Sequence, residues 1–503
     1  MRFLSRLVLA FLCMTASVHG QTLLYEVTLP EVLEGAALED GLASVGDING
    51  DGHPDFSIIQ DRVHVLLFSG VDGSLLLAIS PEDVGLIEEA MSMGDTTGDG
   101  VPDIALRKGA NVIGIDGASG TELYRVPAGS PPNAGSIYVG TESTMAGIGD
   151  ANGDRIPDIA VSQQGAVLLL SGDDGSVLPE VETDVEVGLL AAVSDVDQRG
   201  VLDLFTLAPF DSFPTFRFYT TSTEVGDTLV TMDATWSWTA EPYIVASIGD
   251  LDADSVKEVA IGTVEKFASF GIVQVFDGAT GEQLWFSTAD EADPGNRESF
   301  LFGSTVDGDY DLGGDAQVDV VVGAADRFAF GEPAYQGRVF ALNGGDGTVL
   351  YSLTSPHPQE EGFFGQQVLS PGDVNGDGAA DIVVLARGEV REDGGTGRIY
   401  AFSGASEVAN EPKDRPSATL SASVYPNPAT SSTTLTFTLH GTTPVRADLV
   451  DALGRVRWRN RVGTQGAGSH RLSVPTERLP IGVYVLRLQT EDEQVVRRVT
   501  VAR

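Results

Sequence analysis

The nine-residue segment Asp47-Ile48-Asn49-Gly50-Asp51-Gly52-His53-Pro54-Asp55 constrains the fold of this chain more than any other stretch. It sets carboxylate or amide side chains at loop positions 1, 3, 5 and 9, with glycine at positions 4 and 6. An extended strand would hold positions 1, 3 and 5 in a row with neighbours about 7 Å apart, and a helix would splay them around its axis. Only a tightly curled loop makes them converge, and glycine reaches the backbone dihedrals that such a curl needs. Pro54 disfavours helical geometry at His53, whose backbone carbonyl would face the centre, and leads the chain out extended towards Asp55. An all-oxygen nest with several acidic groups suits a hard cation, and its irregular geometry favours calcium over magnesium.

The pattern recurs, beginning again at Asp95, Asp150, Asp250 and Asp373. The segment Asp309 to Asp319 reads as a further copy with two residues inserted. A seventh, Asp195 to Asp203, is degraded: Arg199 replaces the fifth-position acid, so an empty or salt-bridged loop is expected there. Asp, Asn and Gly also build ordinary turns, but recurrence at one spacing argues for metal. The candidate calcium ligands are Asp47, Asn49, Asp51, His53 and Asp55; Asp95, Thr97, Asp99, Val101 and Asp103; and Asp150, Asn152, Asp154, Ile156 and Asp158. The later loops add Asp250, Asp252, Asp254, Val256 and Glu258; Asp309, Asp311, Asp315 and Asp319; and Asp373, Asn375, Asp377, Ala379 and Asp381. Position 7 would contribute its backbone carbonyl, which explains why its side chain varies.

Loop starts are separated by 45 to 64 residues. Between them lie short runs rich in Val and Ile, such as Asp158 to Ser162, followed by a strand, glycine turn and strand, as in Gly165 to Leu178. Each period therefore holds about four strands, with the acidic loop between the first and the second. Periods of this size indicate propeller blades. Helix-flanked calcium hands would need a 3.6-residue apolar period on both sides, which the flanks lack. The last period runs out after its third strand, Arg398 to Phe402, while Thr22 to Leu29 resembles the fourth strands at Gly73 to Ile79 and Gly347 to Leu353. The N-terminal strand is expected to complete the last blade, which would remove two open sheet edges.

Residues 1 to 20 read as a secretory signal: Arg2 and Arg6 precede the apolar run Leu7 to Met14, with cleavage expected after Gly20. The only cysteine, Cys13, leaves with it, so no disulfide is expected. The net charge of −43 argues against nucleic acid or anionic membrane as a partner and attracts cations. No later apolar run approaches the roughly 20 residues of a membrane-spanning helix. A polar, proline-containing linker follows at 406–422. Beyond it the charge sign changes: residues 424–503 carry eleven arginines against six acids, in alternating runs that describe a small β-sandwich.

Two resemblances sharpen this reading. Phe302-Gly303 and Phe364-Gly365 before loops, with Val321 to Ala325 and Gly337 to Ala341 after one, resemble the FG-GAP repeat of integrin-alpha-like propellers. That resemblance implies a seven-bladed β-propeller over residues 21–405 with calcium at its loops, and it fixes no ligand. Tyr425-Pro-Asn-Pro-Ala429, Asp451 to Arg455, Leu479 to Tyr484 and Val499 to Val501 resemble the type A sorting domain of the type IX secretion system, here at 423–503. It implies export across an outer membrane by that machinery, to the medium or the cell surface.

The catalytic inventory is thin. His53 lies in a calcium loop, His64 on a strand, and His357 beside two prolines in a loop; no nucleophile triad or zinc spacing stands out. The expectation is an all-β, monomeric, non-enzymatic binding or adhesion module for an extracellular glycan or protein, with calcium mainly structural. The alternative is a calcium-dependent polysaccharide lyase or hydrolase on the same scaffold, since abundant carboxylates permit a glycosidase pair. Partner contacts are expected at blade-connecting loops with aromatics, such as Phe210 to Phe218 and Trp236 to Trp238; Trp236 and Trp238 share one face of a strand, which makes them core packing between blades, the favoured reading, or a sugar-stacking platform.

Overall fold

The computed structural model describes residues 22–27, 29, 37–38, 41–81, 86–128, 144–163, 166–178, 190–192, 194–196, 202–207, 215–221, 228–235, 240–252, 254–265, 271–292, 301–325, 337–404, 421–425, 429–439, 443–451, 455–466, 468–480, 482–490 and 494–501. The signal segment, nearly all of the linker, Trp236, Trp238 and the start of the Phe210 loop lie outside the described residues. The chain divides into two compact units, Met1–Glu407 and Val408–Arg503.

The first unit is a series of antiparallel meanders. Sheet one consists of Ala43–Gly46, Asp55–Gln60, His64–Phe68 and Leu75–Ile79, and sheet two of Ile87–Gly94, Asp103–Lys108, Asn111–Ile115 and Glu122–Pro127. Sheet three has Met145–Gly149, Asp158–Gln163 and Ala166–Leu170, with Val177 bridging back to Leu170 where a fourth strand would run. Sheet four has Leu190–Ala192, Leu204–Leu207, Thr215–Thr221 and Thr228–Thr235. Sheet five has Ala240–Ile248, Glu258–Glu265, Gly271–Phe276 and Gln283–Thr288. Sheet six follows with Phe302–Asp307, Val320–Ala324, Arg338–Leu342 and Val349–Leu353. The seventh takes Phe364–Gly372, Asp381–Val390 and Thr396–Phe402, and its fourth strand is Leu23–Glu26 from the other end of the chain. Leu23 opposes Phe402, Tyr25 opposes Ala401 and Glu26 opposes Tyr400.

The first strands of consecutive sheets adjoin in turn, and that of sheet seven returns to Ala43–Gly46. Sheets pack face to face, so the middle strands are covered on both sides. Phe56, Ile58, Leu66 and Phe68 of sheet one share a core with Val383, Leu385, Ile399 and Ala401 of sheet seven. Ile59, Val65 and Leu67 turn the other way, onto Ile104, Leu106 and Ile113 of sheet two. Burial on both faces is why these strands read as continuous apolar runs and not as alternating ones, each large aliphatic contributing about 1.5–3 kcal/mol.

A recurrent contact sets the spacing between sheets: a large side chain in a fourth strand lies against a turn glycine of the next sheet. A Cβ on Gly73 would sit 2.7 Å from the Tyr25 ring, one on Gly175 2.5 Å from Tyr124, and one on Gly347 2.5 Å from Trp285. Two of these side chains also donate to a backbone carbonyl in the same hairpin, Tyr25 to Gly70 at 2.5 Å and Trp285 to Gly344 at 2.6 Å.

In the second unit a three-stranded sheet (Ser421–Tyr425, Ser432–Leu439, Gly468–Pro475) and a four-stranded sheet (Val456–Gln465, Thr443–Asp451, Gly482–Gln489, Gln494–Val501) share one core. Leu435 and Phe437 meet Ala447, Leu449, Leu486, Leu488 and Val499 within it. The alternation of the sequence is thus resolved as two sheets with one wet face each.

Candidate metal centres

Among the described residues, six connections between first and second strands adopt the same hydrogen-bonded turn. The first-position carboxylate is its organiser: Asp47 accepts the N–H groups of Gly50 at 2.7 Å, Asp51 at 3.1 Å and Gly52 at 2.8 Å. The fifth-position carboxylate then accepts the N–H of position 7, at 2.9 Å for Asp51 and His53, 2.9 Å for Asp99 and Val101, and 2.8 Å for Asp154 and Ile156. Asp254 does the same for Val256 at 2.7 Å, and Asp377 for Ala379 at 2.9 Å. These local bonds curl the chain and hold the carboxylates on one side of it.

The backbone must be left-handed at position 6. There φ is 89° at Gly52, 92° at Gly100 and 91° at Gly378, but also 76° at Arg155, 77° at Ser255 and 65° at Ala316. A side chain in that region is strained, so three of the loops keep the conformation although they lack the glycine that favours it.

The ninth-position acid plays a different part from the other candidates. Asp55, Asp103, Asp158, Asp319 and Asp381 are 0% exposed, and Asp203 and Glu258 1%. One oxygen of Asp55 accepts from Ile48 and Asn49, and the other from Gly70 in the next hairpin at 2.9 Å. Asp103, Asp158, Asp319 and Asp381 repeat the link, to Gly117, Gly172, Gly344 and Gly404. This acid clips the loop to its own sheet. In the degraded loop Asp203 likewise accepts from Val196 at 2.8 Å; residues 197–201 lie outside the described residues.

The sixth loop corrects its sequence register. Asp311, not Asp309, is position 1: Asp311 accepts from Gly314, Asp315 and Ala316, and Asp319 accepts from Leu312 and Gly313. The nine-residue spacing is therefore intact, and the two additional residues, Asp309 and Tyr310, precede the turn. Gly313 occupies position 3 and brings no ligand, and Gln317 occupies position 7. Asp309 instead pairs with Lys257 Nζ at 2.8 Å, tying the fifth loop to the sixth. The sequence could have shown this, because Asp-x-Gly-Gly-Asp-x-x-x-Asp from 311 keeps every spacing.

Among the described residues, two loops place three carboxylate oxygens within 4.8 Å of one another: Asp250, Asp252 and Asp254, and Asp311, Asp315 and Asp319. Such convergence fits a cation, for without one the acids repel. Glu258 is pushed up to about 7, first by burial and then by Asp252 and Asp250, against a hydrogen bond from Leu251. Asp319 and Asp381 are pushed up to about 6, again mainly by burial. Loops one and seven touch, His53 Nδ1 lying 3.1 Å from the Asp373 carbonyl.

The other histidine of interest joins a polar cluster that sequence reasoning missed. His357 Nε2 lies 3.2 Å from Glu26, its ring stacks on Tyr400, and Ser355 and Tyr400 both donate to the buried Glu389. Arg398 pairs with Glu26. Ser355 donates to Glu389 and not to the imidazole, so this is not a nucleophile arrangement; its members fasten the first strand to the last.

The comparisons agree with two parts of this picture. The FG-GAP repeat model matches residues 364–402, which span the seventh loop, and the Secretion system C-terminal sorting domain model matches residues 423–502. Integrin alpha-5 of Xenopus laevis is 28% identical over 173 residues, 32% of this chain and 15% of that protein. The crystal structure of BBS1N in complex with ARL6DN, soaked with mercury, aligns at 12% identity and a TM-score of 0.48, over 76% of this chain and 98% of that one. No helix among the described residues is long and apolar enough to cross a membrane. The chain carries an FG-GAP repeat and ends in a sorting domain that directs it through the type IX secretion system to the cell surface or the exterior.

Proposed function

We propose that residues 21–405 form a seven-bladed, calcium-stabilised propeller that serves as a secreted or surface-held binding module for an extracellular glycan or protein. On this reading residues 1–20 are a removed signal, 406–422 a linker and 423–503 the export address. The observation that carries the reading is the same hydrogen-bonded acidic turn at six of the seven sheet entrances, with three carboxylates gathered within 4.8 Å in two of them. Such a repeat, placed at six sheets without regard to any one substrate, suits a structural device.

In each loop the side chains of positions 1, 3 and 5 would hold calcium, with the clip acid as a further oxygen source; in the sixth, Asp311, Asp315 and Asp319 would serve. The cation would neutralise acids that otherwise repel, contributing about 2.7 kcal/mol per site at 100 times its dissociation constant. The sequential contact of first strands, returning from sheet seven to sheet one, supports the closed ring.

The test exposes the secreted chain to immobilised polysaccharides and to extracellular proteins, with calcium or chelator, recording retention and released fragments together. Calcium-dependent retention with intact polymer or protein is expected. Release of fragments would show an enzyme, and retention unaffected by chelation would remove calcium from the reading.

A further inference from the structure

Neighbouring acidic turns are interlocked by the residues that flank their carboxylates. Position 2 of one turn lies over a hairpin glycine of the next sheet. A Cβ built on Gly117 would meet Ile48 Cδ1 at 3.3 Å, one on Gly172 would meet Thr96 Cγ2 at 3.0 Å, and one on Gly344 would meet Leu251 Cδ2 at 2.7 Å. Position 8 of the later turn reaches back to the glycine before position 1 of the earlier one. A Cβ on Gly46 would stand 2.8 Å from Pro102, one on Gly94 3.0 Å from Pro157, and one on Gly249 2.8 Å from Val318.

The clasp continues through the last sheet and back to the first. The N–H of Ala380, at position 8 of the seventh turn, donates to the Asp311 carbonyl at 3.3 Å, and Leu312 shares a core with Ala380. Val374 covers Gly70 of sheet one, 3.0 Å from where a Cβ would stand, and His53 Nδ1 lies 3.1 Å from the Asp373 carbonyl. Among the described residues, the six turns are thus joined into one arc, from sheet five through sheets six, seven, one and two to sheet three. The degraded loop of sheet four falls between the two ends of the arc.

Packing between sheets needs apolar side chains, but not at these positions. What singles them out is the glycine that each covers. Gly117, Gly172, Gly344 and Gly70 are the residues whose N–H binds the buried acid of their own sheet's turn, Asp103, Asp158, Asp319 and Asp55. Each glycine is therefore held from two sides, by position 2 of one turn and by position 9 of the next. A turn that opens uncovers its neighbour's clip, and an interior packed this closely passes a displacement on.

We propose that the six turns act as a coupled belt, in which each filled turn raises its neighbour's affinity for calcium through the position 2 side chain between them. The inference rests on the calcium reading of these turns. Two states define the coupling: a curled turn whose position 2 covers the neighbouring glycine, and an open turn, spread by repulsion among its own acids, whose position 2 does not. Coupling of this kind makes the face respond to calcium over a narrower range than independent sites would give. Charge alone predicts the opposite sign, because an unfilled turn is more negative than a filled one and draws calcium to its neighbours.

The test titrates the purified secreted chain, stripped of calcium, with calcium chloride. Hydrogen exchange is followed by NMR at the amides of Gly50, Gly153 and Gly314, each bonded to the first acid of its turn. Asp99→Asn removes the exposed fifth-position acid of the second turn and leaves both clasps in place. The calcium midpoints at Gly50 and Gly153, in the adjoining turns, are expected to rise about fivefold, the low end of ordinary coupling between sites. Gly314, three turns away, is expected to keep the parental midpoint. Ile48→Ala, which leaves every candidate ligand in place, is expected to abolish the rise at Gly50 when added to Asp99→Asn, and to leave the rise at Gly153. Unmoved or lowered midpoints at Gly50 and Gly153 would overturn the coupling and leave the calcium reading standing. Equal rises at all three amides would overturn it as well, since they show general destabilisation, and a rise at Gly50 that survives Ile48→Ala would overturn the route through position 2. If calcium protects none of these amides in the parent, the calcium reading itself fails. The comparison of Gly153 with Gly314 needs no core substitution, so it decides the question even where Ile48→Ala melts early.

Discussion

Tyr25 donates its hydroxyl to the carbonyl of Gly70 at 2.5 Å, and the N–H of Gly70 in turn donates to Asp55 at 2.9 Å. Through one glycine, the strand that completes sheet seven is connected to the acid that clips the loop of sheet one. Trp285 reaches Gly344 and thence Asp319 in the same way. The packing of one sheet on the next and the shape of the acidic loop are therefore two ends of one hydrogen-bonded chain.

Tyr25→Phe keeps the ring on Gly73 and removes only the hydroxyl, leaving the Gly70 carbonyl short of a partner. The expected loss is about 1 kcal/mol, read as a lower urea midpoint. An unchanged midpoint would show that the ring contact alone holds the seam. Deleting residues 22–27 is expected to do much more, because it exposes the edge of Thr396–Phe402, and light scattering should detect the resulting association.

The sixth loop offers a test of register. Asp311→Asn is expected to remove one calcium from the stoichiometry measured by titration calorimetry, since Asp311 organises the turn. Asp309→Asn is expected to leave the stoichiometry unchanged and to release only the exposed pair with Lys257, with a stability effect of about 0–1 kcal/mol. Equal losses from both would restore Asp309 to the site.

Without calcium, stability should depend on pH through the clip acids. Glu258 is raised to about 7, and Asp319 and Asp381 to about 6, whereas unfolded carboxylates titrate near 4. A folded pKa above the unfolded one stabilises fully at low pH and ceases to do so as pH rises through the folded value. In chelator the melting temperature is thus expected to fall from pH 5 towards pH 8. Saturating calcium, which needs the acids ionised, should abolish or invert that slope; parallel slopes in both conditions would contradict the metal assignment.

Arg155 holds a left-handed conformation that glycine holds in the first loop. Arg155→Gly is expected to relieve about 1 kcal/mol of strain and to raise the denaturant midpoint despite the flexibility it adds to the unfolded chain. Gly52→Ala should lower it by about 1–2 kcal/mol. A fall for both would mean that the Arg155 side chain contributes contacts that outweigh its backbone.

The repeat itself was legible in the sequence, because its chemistry is local. Side chains at positions 1, 3 and 5 bond to N–H groups two to five residues away, so spacing alone dictates the turn. The same holds for the strand runs and for the alternation that separates the second unit. Other features arise only from contacts between distant segments. Whether position 9 faces a cation or a backbone depended on Gly70 and its counterparts in later hairpins, which no local pattern indicates. The pairing of Asp309 with Lys257, 52 residues away, is likewise a product of the fold, although the register of the sixth loop from Asp311 could be read from its spacing. Glu26 reaches Arg398 and His357 only because the two ends of the first unit share a sheet. Local bonds are written in adjacent residues and can be read there; burial and long-range pairing are decided by which surfaces the folded sheets bring together.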